Sequence, residues 1–331
     1  MAHLLESMAY VGSTPWHKVG NQLQPKQPID VWAEKARMNW NICSTPVRYM
    51  TEQADAPDMS FASQMVLYRS DTKAPLSVVS DRYQVVQPRE VLEFYRDLTE
   101  VSGFELETAG VLKDGKKFWA LAKTGKESVL KGNDVVNGYL LLATSCDGTL
   151  ATTATPTTIR VVCANTLNMA PQGSDCAIRV PHNTSFDADV VKRRLGIAVS
   201  RWDDFMHGMK ALAERRVKGS EAESYFRKVI CRAEPQDAVL THMERGPGLD
   251  EAKLGNERAL KKVQALFNGQ GRGAELAAAK GTAWGLLNAV TEFVDHERRA
   301  RSQEYRLDSA WFGQGAALKE RALHQALALT A

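Results

Sequence analysis

The sequence predicts an α+β protein: an antiparallel β-sheet with packed helices over residues 1–185, followed by a mainly α-helical part over residues 186–331. Three observations carry this reading. Two runs of β-branched and aromatic residues each fold back at an Asp-Gly step, which marks a hairpin. After Pro181 the apolar residues switch to helical spacing. The charge balance changes with the texture: residues 1–185 hold 18 basic and 19 acidic side chains, and residues 186–331 hold 24 and 20. A chain of 331 residues suits two units at about 100–200 residues each.

The first 60 residues read as irregular, because Pro15, Pro25, Pro28, Pro46 and Pro57 interrupt long elements. Within them, Asp30 to Met38 has the pattern of a short helix with Asp30 as N-cap. Trp16, His17 and Lys18 sit together in Thr14–Gly20, with Trp16 suited to anchor the segment. Gln64 to Arg69 and Leu76 to Ser80 read as strands joined by a polar turn. Pro88 opens a helix through Val101, since proline is tolerated in a first helical turn. Val91, Leu92, Tyr95 and Leu98 form its apolar face.

Leu106 to Leu112 and Lys117 to Ala122 flank Lys113-Asp114-Gly115-Lys116, the first hairpin. Val135 to Ser145 and Thr149 to Thr155 flank Cys146-Asp147-Gly148, the second. Ile159 to Cys163 adds a further β-branched run, and Asn165-Thr166-Leu167 reads as a turn into a short helix. Beyond Pro181, Val191, Leu195, Ala198, Trp202, Phe205, Met209 and Leu212 repeat in alternating steps of four and three. That is a seam on one long helix, able to pack on its own core or to join copies as a homo-oligomer. Helices are expected at Ser220–Ala233, Glu251–Phe267, Gly281–Arg301 and Ala316–Leu329. The glycine-rich stretch from Asn268 to Gly273 reads as a flexible connector.

Composition excludes several classes. With 44% hydrophobic and 24% charged residues, the chain is too apolar for extended disorder. No run approaches the roughly 20 apolar residues of a membrane span, so no membrane partner is expected. The amino terminus has no secretory pattern. Five cysteines are scattered with no Cys-x-x-Cys pair, so neither a zinc nor a redox motif is signalled, and a reduced cytoplasmic setting is expected. Cys146 and Cys163 lie in apolar runs and read as small buried hydrophobes. No metal and no cofactor is expected.

Two sets of residues could carry chemistry. Asn288, Glu292 and Asp295 share one helical face, with His296 beside it. Such a face can hold a polar ligand, although i,i+4 pairs such as Asp295–Arg299 and Glu292–His296 are ordinary on solvated helices. The second set suits nucleic acid, which needs cations for phosphates and planar groups for stacking. Its candidates are Lys116, Lys117, Arg160, Arg179 and Arg193 for phosphates and Trp119 as a stacking platform. Basic clusters also occur at Lys192-Arg193-Arg194, Arg215-Arg216 and Arg298-Arg299-Arg301. The net charge of +3 decides nothing by itself. No catalytic spacing or phosphate-loop ending is present.

Asp81-Arg82-Tyr83-Gln84-Val85-Val86-Gln87-Pro88 and Thr157 through Asn168 resemble segments of the family catalogued as domain of unknown function 932. Trp16-His17, Trp284 through His296 and Phe312-Gly313-Gln314-Gly315 extend the resemblance over most of the chain. It implies a protein borne by phages or plasmids that acts inside a bacterial cell, and it transfers no residue roles. The leading functional expectation is a mobile-element accessory protein that binds nucleic acid, with single-stranded DNA binding or annealing in recombination or replication as its sharpest form. A small-ligand binder or enzyme using Asn288, Glu292, Asp295 and His296 is the alternative. A host-interaction factor using the Val191–Leu212 seam is the third reading.

Overall fold

In the computed structural model, residues 5–12, 20–51, 58–169, 177–231 and 248–330 are described; Trp16, His17, Lys18 and Cys176 lie outside them. These residues form two β-sheets and, among the described residues, nine α-helices. The main sheet contains β1 (Leu5–Val11), β2 (Asn21–Leu23), β6 (Glu105–Leu112), β7 (Lys117–Leu130), β8 (Asp134–Ser145), β9 (Thr152–Arg160), β10 (Asn165–Asn168) and β11 (Ile178–Val180). Its order is β10-β9-β8-β7-β6-β1-β2, with β11 also paired to β9. All its ladders are antiparallel except β1–β2. A smaller sheet, β3-β4-β5, contains Ile42–Tyr49, Met59–Arg69 and Pro75–Ser80.

Alternation along β7 and β8 explains why both read as continuous apolar runs: both faces of the sheet are covered. Phe118, Ala120, Ala122, Leu140 and Leu142 join one core with α1 (Ile29–Lys35), α2 (Pro88–Ser102), α3 (Ala188–Ser200) and the small sheet. Trp119, Leu121, Leu141 and Ala143 face the other way, onto Leu307 of α8 (Gln303–Phe312) and onto Trp311 and Phe312. A third core joins Leu130, Val136, Leu167 and Met169 to α4 (Trp202–Glu214), α5 (Gly219–Ile230), α6 (Gly248–Ala265), α7 (Ala283–Glu292) and α9 (Gln314–Leu327). Tyr95 pins α2 to the sheet: its hydroxyl lies 3.0 and 2.9 Å from the carbonyl oxygens of Ala120 and Leu140 and shares its proton between them.

Several sequence expectations are corrected. The first 60 residues supply three strands. Pro46 is accommodated because β3 is an edge strand and the register shifts beside it. Asp30 does not cap α1, whose N-cap is Pro28; it pairs with Arg89 at 2.7 Å. Asn165–Asn168 is a strand instead of a helix, because the turn through Ala164 (φ 52°) folds it back onto β9. Helix α7 continues into a single π-turn at Phe293–Glu297, while α6 ends in a turn at Leu266–Gln270, where Asn268 and Gly269 (φ 112°) leave helical geometry. Helix α8 follows the π-turn, where no element was expected.

The long seam is broken at Arg201 into α3 and α4, and its two halves enter different cores. Val191 and Leu195 pack with the sheet and α2, while Trp202, Phe205, Met209 and Leu212 pack among the helices. Gly138 of β8 makes room for the second half, since a Cβ there would lie 2.8 Å from the Trp202 ring. The seam side chains among the described residues, Val191, Leu195, Trp202, Phe205, Met209 and Leu212, are buried inside their own chain. Replacing Phe205 by Ala should lower the unfolding free energy by about 3–5 kcal/mol in a urea titration. The mass of the still-folded variant by light scattering should equal that of the parent.

Candidate functional site

The polar face of α7 and its π-turn meets the edge of the main sheet. Asn288, Glu292, Asp295 and His296 are all buried, at 3–9% exposure, so the face is not solvated. The Asp295 carboxylate accepts from the Thr166 backbone N–H (2.8 Å) and from Lys319 Nζ (2.8 Å), not from Arg299. Lys319 Nζ also donates to Thr166 Oγ1 at 2.7 Å. His296 Nε2 lies 2.9 Å from the Cys163 carbonyl oxygen, and Asn288 Nδ2 donates to the Trp284 carbonyl at 2.8 Å. Burial raises the Glu292 pKa and lowers those of His296 and Lys319, which favours the neutral form of each.

Beside this face lies a buried ion pair. Asp134 at the start of β8 has no exposed surface, and Arg160 at the end of β9 is 3% exposed. Arg160 donates to both Asp134 oxygens at 2.7–2.9 Å, and Trp284 Nε1 donates to Oδ2 at 2.9 Å. The remaining Arg160 donors reach the carbonyls of Arg272 (3.3 Å) and Gly273 (3.0 Å). Glu292 accepts the Arg272 backbone N–H at 3.0 Å. The glycine-rich stretch is thus a packed clasp, correcting the flexible-connector expectation. A Cβ at Gly271 would lie 2.7 Å from the Leu266 carbonyl, and one at Gly273 2.7 Å from Val162, where φ is +68°. The void against Arg160, Asn288 and Glu292 is about 10 Å³, which leaves space for a water at most.

Three proposed nucleic-acid contacts are likewise internal. Trp119 is 1% exposed and packs edge-on against Trp311, so it presents no ring to a base. Lys117 is 4% exposed and pairs with Asp308 at 2.5 Å; burial lowers its pKa. Arg160 is held as described. The physical reason is common to all three: the strands carrying them are covered on both faces. Lys116 is half-buried in the first hairpin turn, while Arg179 on β11 and Arg193 on α3 are exposed. Cys146 and Cys163 are buried, which pushes their thiols up to about 12 and about 11, so both stay protonated at neutral pH.

The cations that do converge lie on the outer side of the same π-turn. After Glu297 the chain runs through Arg298–Arg301 into α8, where Ser302 Oγ accepts from the Tyr305 N–H as N-cap. Two adjoining depressions form here and share Arg298 and Arg299. The larger, about 920 Å³, is also lined by Arg258 and Lys262 of α6 and by Arg321 of α9. The smaller, about 260 Å³, adds Arg301 and Arg306. Among the described residues, together they gather seven cations against one carboxylate, Glu297, in a chain whose whole net charge is +3. Glu297 is bonded to Lys262 at 2.9 Å, which holds its carboxyl below the usual range.

Three of the other cations bond to neutral acceptors. Arg298 donates to Gln314 Oε1 at 3.2 Å, Arg321 Nε donates to the Val229 carbonyl at 2.8 Å, and Arg306 Nη1 donates to the His296 carbonyl. Arg298 Nη1 and Arg306 Nε are buried with no hydrogen-bond partner among the described residues. Arg258, Arg299 and Arg301 are exposed and have no carboxylate partner among the described residues. Tyr305, 47% exposed, stands beside them. Only Arg298-Arg299-Arg301 was visible as a cluster in the sequence. The cations of α6 and α9 are distant in the chain and carried no local signal.

Among the described residues, no helix is long and apolar enough to cross a membrane, and no cluster of His, Cys, Asp and Glu could hold a metal ion. A family model described as a domain of unknown function, number 932, matches residues 75–311. No curated protein and no solved structure matches the chain.

Burial lowers the His296 pKa below its unfolded value near 6.5. The stability this contributes is complete above that value and is lost as pH falls below it. Urea midpoints measured at pH 7.5 and pH 5 should therefore differ less in His296→Gln than in the parent chain.

Proposed function

The chain belongs to that family, and from this premise we propose that it is a nucleic-acid-binding accessory protein of a mobile element that takes single-stranded DNA along the arginine-lined groove. One observation carries the reading: among the described residues, two adjoining depressions of a nearly neutral chain are lined by seven cations and one carboxylate. Such a groove concentrates positive potential where a polyanion would lie, and its occupation by phosphates releases condensed counterions. Its concave shape and the exposed Tyr305 ring favour a single strand, whose unpaired bases can turn in and stack. The side-chain amides of Asn256 and Gln314 line the larger depression and offer neutral hydrogen bonds. Annealing and recombination belong to the same proposal as the processes such binding would serve, and the phage or plasmid setting rests on the sequence resemblance.

The alternative small-ligand or enzyme reading of Asn288, Glu292, Asp295 and His296 is less favoured, because all four are buried and bond within the protein, and the void that Asn288 and Glu292 line is about 10 Å³. The host-interaction reading loses its proposed surface, since the seam side chains lie in the cores.

Fluorescence anisotropy with a labelled single-stranded oligonucleotide tests the proposal. With about four to six phosphates neutralised, log affinity should fall against log salt with a slope of about −3 to −4. Arg258→Gln, Arg299→Gln and Arg301→Gln combined should weaken binding about tenfold or more and flatten that slope. The pair Lys116→Gln and Arg193→Gln, outside the groove, should leave it close to the parent. Absence of binding at low salt would sink the proposal.

A further inference from the structure

We infer that the smaller depression is a seat for a dianionic phosphate, the phosphomonoester that ends a nucleic-acid strand or a free nucleotide. The strand-end source rests on the nucleic-acid reading above; the anion seat itself does not. Charge is the first argument. Arg298, Arg299, Arg301 and Arg306 line a space of about 260 Å³ that no carboxylate of the described residues lines. An internal phosphodiester brings one negative charge, whereas a phosphomonoester brings about −1.5 to −2 at neutral pH and three acceptor oxygens. The monoester is therefore the closer match to four guanidinium groups.

The second argument is unsatisfied hydrogen bonding. Arg298 Nη1 and Arg306 Nε are buried and have no acceptor among the described residues. A buried donor on a charged group is costly to leave unpaired. Neither guanidinium is loose, because Arg298 is tied to Gln314 and Arg306 to the His296 carbonyl. Both guanidinium-bearing side chains are thus held at the wall of the depression before any ligand arrives. Arginine suits the task, since its planar fork pairs with phosphate oxygens in a bidentate manner.

Two further features agree. From α8, a helix of 10 residues, Tyr305, Arg306 and Ser309 line the depression, and Ser309 adds a hydroxyl to its wall. The Tyr305 ring, part of the same wall and 47% exposed, is placed to stack on a base or sugar next to the seated phosphate.

The test uses the full chain and one short oligonucleotide made with a 5′-phosphate, with a 3′-phosphate, or with hydroxyls at both ends. Inorganic phosphate and adenosine 5′-monophosphate are titrated in parallel by calorimetry. At least one phosphorylated end should bind about tenfold or more tighter than the hydroxyl-ended strand. Arg301→Gln, an exposed change that should spare the fold, should erase that preference, and Arg298→Lys should reduce it. If all three strands bind equally and neither small ligand binds, the phosphate seat is overturned while nucleic-acid binding stands. A preference that survives Arg301→Gln would also overturn it. If the monophosphate binds one to one, sensitive to Arg301→Gln, and no strand binds, the seat stands with a free nucleotide as its source and nucleic-acid binding falls. If nothing binds at low salt, both are overturned.

Discussion

Asp134 has no exposed surface, and a carboxylate in such a place must be matched by a cation and by hydrogen bonds. Arg160 supplies the cation, and Trp284 adds a further donor from 150 residues away. The arginine's other donors hold the carbonyls of Arg272 and Gly273. One buried pair therefore sets the end of the sheet, the start of α7 and the glycine clasp relative to one another. Losing either partner would leave an uncompensated charge, at a cost of about 3–5 kcal/mol. Loss of Arg160 would also leave the clasp carbonyls short of donors.

The π-turn Phe293–Glu297 extends that order to the surface. On its inner side Asp295 and His296 bond to the turn and strand at Cys163 and Thr166. The chain leaving it carries Arg298 and Arg299 outward, and Arg306 returns from α8 to bond the His296 carbonyl. The arginine groove is thus mounted on a rigid internal network instead of a free loop. Arg298, Arg306 and Arg321 of that groove are already tethered by bonds within the protein.

Local patterns explain which parts were legible from sequence. The two hairpins and α2 were, because Asp-Gly steps, alternation and Pro88 act within a few residues. The periodicity of the 191–212 seam was correct, but the break at Arg201 has no proline or glycine to announce it. The polar face was legible as a face, and its burial was not: Asp295 finds Thr166 at a separation of 129 residues, while i,i+4 neighbours offered equally good partners on paper. Lys117 and Trp119 seemed available because hairpin residues usually have a solvated side, whereas this sheet is covered on both. The groove draws its cations from three distant stretches, and a linear reading shows only one of them.

The bond from Thr166 N–H to Asp295 has a meaning for the chain as a polymer. Strand β10 ends the main sheet, and an open sheet edge is a template for adding strands from other copies. Asp295 and Lys319 engage that edge at Thr166, and Leu167 beside it packs among the helices. The helical part thus guards against aggregation as well as carrying the groove. A fragment cut near Pro181 would keep both hairpins and yet bare this edge. Proteolysis at that boundary would release a self-associating ribbon in place of a soluble half.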